Sequence, residues 1–172
     1  PTVVRVDIAR GIEAARSESL PGAGGSPGVA KAGGSLWVAR PDVGTLVRLD
    51  PATLELLQEF RGQPSIHAVA AADGAIWTAG PRHVNRIDPV TDDVVTGRTD
   101  AESFYVAAGG GYGWTTDEFA GVAYQVDATG HVVATYPTGE GARSLSYDDS
   151  VVWVGNQDAG TVTGIAVSDG TR

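Results

Sequence analysis

The side chains able to do chemistry in this sequence are few and spread out: three histidines, 21 carboxylates, 12 basic residues and no cysteine. Imidazole titrates near neutral pH, so a histidine beside a substrate proton is the usual start of general-base chemistry. His67, His83 and His131 are read as lying on different repeats without close ligand spacing, which speaks against a shared metal ion. Asp92-Asp93 and Asp148-Asp149 lack the alternating oxygens of an EF-hand loop and read as solvated turn residues. No Gly-x-Ser-x-Gly element is present. The glycine cluster Gly22 to Gly28 has no lysine with which to hold a phosphate. Without cysteine there is no disulfide framework, thiolate metal site or thiol nucleophile. No metal or other cofactor is expected.

What must position these residues is a repeat. The four tryptophans, Trp37, Trp77, Trp114 and Trp153, are 40, 37 and 39 residues apart, and an aliphatic residue (Val29, Val69, Val106, Leu145) stands eight residues before each. A second marker keeps the same period. Val4-Arg5-Val6-Asp7, Val47-Arg48-Leu49-Asp50, Asn85-Arg86-Ile87-Asp88 and Tyr124-Gln125-Val126-Asp127 place their aspartates 43, 38 and 39 residues apart. Asp50-Pro51 and Asp88-Pro89 suit a type I turn, with proline presetting φ and the aspartate accepting a backbone N–H two residues on. A fifth, degraded copy is Thr161 to Ala166.

Each unit predicts four short strands, as in Ala68 to Ala72, Ala75 to Ala79, Val84 to Asp88 and Asp92 to Gly97, because β-branched and aromatic residues alternate with Gly, Asp and Pro breaks. Ala9 to Glu18 has helix-like composition, but the register makes it the fourth strand of a preceding unit. Antiparallel four-stranded units repeating about every 40 residues predict an all-β fold, a β-propeller of about four repeats forming part of a larger ring. The units are approximately 1–27 (partial), 28–65, 66–103, 104–142 and 143–172 (partial). The tryptophans are expected to fill the wedges between neighbouring blades.

Composition narrows the partners. A net charge of -9 disfavours duplex nucleic acid, whose affinity comes from clustered Lys and Arg. No apolar run is long enough to span a membrane as a helix. A chain that opens at Pro1 without any methionine reads as a mature form, an excised domain or a fragment. Open blade edges would then allow self-association.

The motif Gly-x-[Leu/Ile]-Trp-[Val/Thr]-Ala followed by Arg-[Leu/Ile]-Asp-Pro-x-Thr, carried by Gly34 to Ala39 with Val47 to Thr53 and by Gly74 to Ala79 with Asn85 to Thr91, resembles YVTN/YncE-like and streptogramin-lyase-like propeller repeats. That resemblance implies a propeller and an extracytoplasmic setting. Its lyase branch implies a histidine base in a Glu-x-His element and a magnesium ion at the channel mouth. No Glu-x-His occurs here: Glu102, Asp117, Glu118 and Glu140 have no histidine two residues on.

Two loop sets are expected on one rim. One joins outer to inner strands (20–27, 61–66, 98–103, 137–142), and the other follows the tryptophan strands (40–44, 80–83, 116–121, 156–160). Their residues vary while the strands repeat, which is the pattern of a binding face. The tryptophan register puts Pro27, His67, Phe104 and Arg143 at equivalent inner-strand starts. His67 and Arg143 suit an anionic or carbonyl-bearing ligand, with Phe104 as an apolar wall, and Arg40, Arg82, Asp117, Glu118, Asn156 and Asp158 complete the candidate rim. The leading expectation is a non-catalytic binding or sensor module presenting this rim to a protein or small molecule. A metal-dependent lyase and a structural spacer are the alternatives.

Overall fold

A computed structural model describes residues 2–21, 28–61, 66–148 and 150–167. Pro27 and parts of the loops at 20–27 and 61–66 lie outside the described residues, as does Asp149.

The described residues form five antiparallel sheets in chain order. The strand pairs Val4–Asp7 (β1) and Ile12–Arg16 (β2) come first. A four-stranded sheet follows, built from Val29–Ala32 (β3), Ser35–Arg40 (β4), Thr45–Leu49 (β5) and Leu56–Phe60 (β6). Next come Ala68–Ala72 (β7), Ala75–Ile87 (β8) and Val94–Glu102 (β9). The fourth sheet is Val106–Gly109 (β10), Tyr112–Asp117 (β11), Val122–Val126 (β12) and Val132–Pro137 (β13). The last is Ala142–Asp148 (β14), Val151–Asn156 (β15) and Thr161–Ala166 (β16). The expected strand within Ala9 to Glu18 is β2, and the degraded fifth copy is β16.

Two details differ from the sequence expectation. The loop expected at 80–83 lies inside one long strand, β8. The Asn85 side chain still donates to Thr78 Oγ1 over 3.2 Å, although seven extended residues would separate them by roughly 23 Å. The chain therefore folds back near Arg82, where φ is 65°, and β8 supplies both middle strands of its blade. The expected outer strand at 92–97 instead runs to Glu102, so most of the expected loop 98–103 is strand.

The blades stack because inner strands meet in sequence: β3 lies against β7, β7 against β10, and β10 against β14. Tryptophans fill the wedges as expected in the first three complete blades. Trp37 clusters with Ile66, Val69 and Ile76. Trp77 lies so close to Gly113 that no side chain would fit there, and Trp114 clusters with Val152 and Val154. Trp37 and Trp114 each donate their indole N–H to the carbonyl five residues back, at 3.2 and 3.4 Å, which ties the ring to its own hairpin.

The repeated aspartates each cap a turn. Asp7 accepts from the amides of Ala9 and Arg10, Asp50 from Ala52 and Thr53, Asp88 from Val90 and Thr91, and Asp127 from Thr129 and His131. Hydrogen bonds to the ionised form favour it, and they hold the carboxyls of Asp50 and Asp88 below the ordinary aspartate range. Asp127 is lowered too, first by the Thr129 hydroxyl and then by the amides of His131 and Thr129.

Candidate functional site

On the opposite rim the two loop sets do meet. Thr138 N–H donates to Gly121 O at 2.8 Å, Gly141 N–H to Glu118 O at 3.2 Å, Gln157 N–H to Gly141 O at 2.8 Å, and Ala159 N–H to Glu140 O at 3.1 Å. These bonds stitch the loops after β11, β13 and β15 into one surface spanning two blades. Gly141 is required in this seam: its φ is 71°, and a side chain there would meet the Asp158 backbone nitrogen at 2.6 Å.

Arg143 stands at the centre of that surface. Its Nε donates to Glu118 Oε2 at 2.8 Å and its Nη1 to Gln157 Oε1 at 3.2 Å. A guanidinium has five N–H donors in a rigid fork, so these two bonds fix its direction without exhausting it. Beside it lies a cleft of about 460 Å³ whose lining includes Tyr105, Arg143, Ser144, Asn156, Gln157 and Val162. The buried Asn156 donates to Thr161 Oγ1 at 3.1 Å and Thr163 Oγ1 at 2.9 Å, while its Oδ1 has no hydrogen-bond partner among the described residues. Thr115 anchors the cleft's inner wall by donating its hydroxyl to Tyr105 O at 2.8 Å. The arrangement offers directed guanidinium donors against an aromatic surface, which suits a ligand with a carboxylate or carbonyl next to a flat apolar body.

The other expected rim residues divide between this site and the scaffold. Glu118 and Asn156 belong to the site, and Asp158 lies in its seam. Arg40 is a brace: it donates through Nη1 to Glu59 at 2.7 Å and through Nε and Nη2 to Pro21 O. Asp117 caps its own turn, accepting from the amides of Phe119 and Ala120 at 2.9 Å. Arg82 is exposed, with only a 3.9 Å approach to the exposed Asp100. His67 and Phe104 pack ring against ring, edge to face, with centroids 4.7 Å apart. They form a second patch, and the apolar wall of the cleft is Tyr105, one residue beyond Phe104.

The histidines also differ from expectation. His67 and His83 stand on one blade, not on different repeats, and His67 is held below its ordinary pKa by burial and then by the nearby His83. His83 is buried with Nδ1 2.8 Å from Pro81 O. His131 lies away from this rim, where its Nδ1 is 2.7 Å from Thr129 Oγ1. Among the described residues no three His, Asp or Glu side chains gather closely enough to hold a metal ion.

Tyr105, Ser144 and Thr161 were not singled out by sequence. One signal was available, since Tyr105 and Ser144 are equivalent positions, nine residues before their tryptophans.

No protein-family model matches the chain, and no curated protein matches it in sequence. Its likeness is to solved structures. It is similar to the computationally designed Ika4 protein, at 18% identity and a TM-score of 0.75 over 92% of this chain and 99% of that one. It is also similar to a streptogramin B lyase, at 16% identity and a TM-score of 0.70 over 88% of this chain and 57% of the lyase.

The fold is a β-propeller. A third similar structure, the designed Ika8 protein, aligns at 18% identity and a TM-score of 0.75, over 94% of this chain and 51% of its own. The chain thus spans about half the length of Ika8 and of the lyase. At these identities the likeness establishes the propeller architecture and leaves the chemistry to the residues of this chain.

Proposed function

We propose that this chain is a non-catalytic propeller binding module, of the kind that serves a sensor. Its Arg143 cleft receives a small molecule bearing a carboxylate or carbonyl group. The observation that carries this reading is the cleft itself: an arginine aimed by Glu118 and Gln157 beside Tyr105, on a rim stitched together by backbone hydrogen bonds. The tryptophan and Asp-Pro motifs support kinship with YVTN/YncE-like propellers, in which such a role is at home. Benzoate is the simplest probe combining a carboxylate with a flat ring. Titration of the protein should perturb the amides of Tyr105, Arg143 and Gln157, and Arg143→Ala should remove the effect. If benzoate and larger aromatic carboxylates leave these amides unmoved, the reading fails.

One observation favours a second reading, a lyase-like enzyme. His67 packs edge to face on Phe104, where burial and then His83 hold its pKa below the usual value, which favours the neutral ring able to accept a proton. That reading requires a divalent-metal-dependent activity that His67→Ala abolishes, and thermal stabilisation of the protein by magnesium. Unchanged melting in magnesium would count against it.

A further inference from the structure

The four tryptophans hold equivalent places but are not equally covered. Trp37, Trp77 and Trp114 are 0, 2 and 0% exposed, whereas Trp153 is 46% exposed. Each covered ring is sealed by the next blade. Ile76 shares the cluster of Trp37, Gly113 abuts Trp77, and Val152 shares the cluster of Trp114. Ile76, Gly113 and Val152 are one repeat position, the residue immediately before the following tryptophan. Trp153 faces outward from β15. It shares that face with Gly164, its cross-strand partner, and with Val162 of β16, which is 68% exposed and also lines the Arg143 cleft, so a copy seated on Trp153 would border that cleft.

The other end of the array shows the complementary opening. Val29 and Val69 are equivalent, yet Val69 is 8% exposed and Val29 is 52% exposed. β1 and β2 cap only the outer part of the first complete blade, where Val3 and Leu20 pack on Val38, Val47 and Leu49. The inner part, around Val29 on β3, stays open, and Leu36, the residue before Trp37, packs on the edge of the capped cluster and is only half-buried.

We propose that the Trp153 face seats a second copy of this chain at its Val29–Leu36 end, and that two copies close head to tail. The occupant follows from continuity. Three blade-to-blade interfaces already place a before-tryptophan residue on the preceding tryptophan, and Leu36 of a second copy supplies the fourth. Two identical head-to-tail contacts related by a twofold axis close a ring rather than grow a filament.

Each copy brings three complete blades and one shared blade, so the ring holds eight, within the range propellers adopt. The shared blade has one strand too many, since β16 of one copy and β1 of the other compete for its third place. β16 is anchored by the buried Ile165 and Val167, while β1 is held by its pairing with β2 and exposes Val4, Arg5 and Val6, so in the ring β2 exchanges β1 for β16.

Light scattering across a dilution series tests this. The wild-type chain should weigh about twice 17.6 kDa at high concentration. Trp153→Arg and Val29→Asp should each weaken the dimer by about thirtyfold or more, the ordinary worth of a buried interfacial tryptophan. Mixing the two single variants should restore a pair through the one intact joint, whereas a chain carrying both changes stays single. Circular dichroism guards against misfolded variants. If they misfold, wild-type tryptophan emission decides: a blue shift on concentration shows Trp153 becoming covered. A single-chain mass at every concentration, or full dimerisation by both variants, overturns the proposal.

Discussion

The two rims of this propeller sit on the same strands and are built on opposite plans. One rim repeats a single device: Asp7, Asp50, Asp88 and Asp127 each accept backbone amides and turn the chain. On the other rim, the residue three beyond each tryptophan is in turn Arg40, Gly80, Asp117 and Asn156. Their jobs differ accordingly: Arg40 braces Glu59, Asp117 caps a turn, and Asn156 ties two threonines beneath a cleft. Repetition marks what every blade needs in order to exist. Variation marks where one blade is free to do something else.

The largest expected effect strikes both rims at once. Trp114→Ala empties a wedge on which both depend and should cost about 3–5 kcal/mol in urea unfolding. Trp153→Ala, at the half-exposed equivalent, should cost well under half of that in the single chain.

Next comes the change that separates the rims. Arg143→Ala should weaken benzoate binding about tenfold or more, since charge-assisted hydrogen bonds are among the strong ones. Its ion pair with Glu118 is partly solvated, so stability should fall by less than about 1 kcal/mol. Arg143→Lys should not restore binding, because an ammonium cannot reproduce the fork. Rescue by lysine would reduce the site to simple charge attraction.

A smaller effect belongs to the turn rim. Asp88→Ala removes the acceptor for two amides and should lower the melting temperature while leaving benzoate affinity unchanged. Asp88→Asn, which keeps an acceptor oxygen, should lose less. A loss of binding in either variant would erase the distinction between the rims.

The smallest effect is read with pH. Folded pKa values below the ordinary range for Asp50, Asp88 and Asp127 mean that the unfolded chain binds more protons in acid. Their contribution is therefore complete above the ordinary aspartate pKa of about 3.9 and is lost as pH falls through the lowered values. His67 has the same sign at higher pH, its contribution beginning to fade below about 6.5. Replacing His67 with Gln should flatten the stability profile between neutral pH and the aspartate range, and an unaltered slope there would show that His67 is not the group responsible.

The architecture was legible because it is written four times. A tryptophan and an Asp turn at a fixed period specify blades whatever lies between them, and β2 followed from register although its composition looked helical. The site was legible only in part. Arg143, Glu118 and Asn156 could be placed on the rim by register, but Tyr105 and Ser144 could not be assigned to the cleft. Strand alternation tells which face a residue takes only while the ladder is regular, and the pairing of β14 with β15 shifts between Ala142 and Ser144, beside Arg143. Arg40 shows the converse: the sequence places it on the candidate binding rim, while its partners Glu59 and Pro21, each 19 residues away, are visible only in the fold.

The central claim is that the functional rim is the varied one and that its focus is the Arg143 cleft. The most direct test is an amide NMR titration with benzoate of the assigned wild-type chain. The account predicts saturable shifts at Tyr105, Arg143, Ser144 and Gln157, with none at the Asp50, Asp88 and Asp127 turns. Shifts centred on those turns, or on the His67–Phe104 pair with the cleft silent, would contradict it.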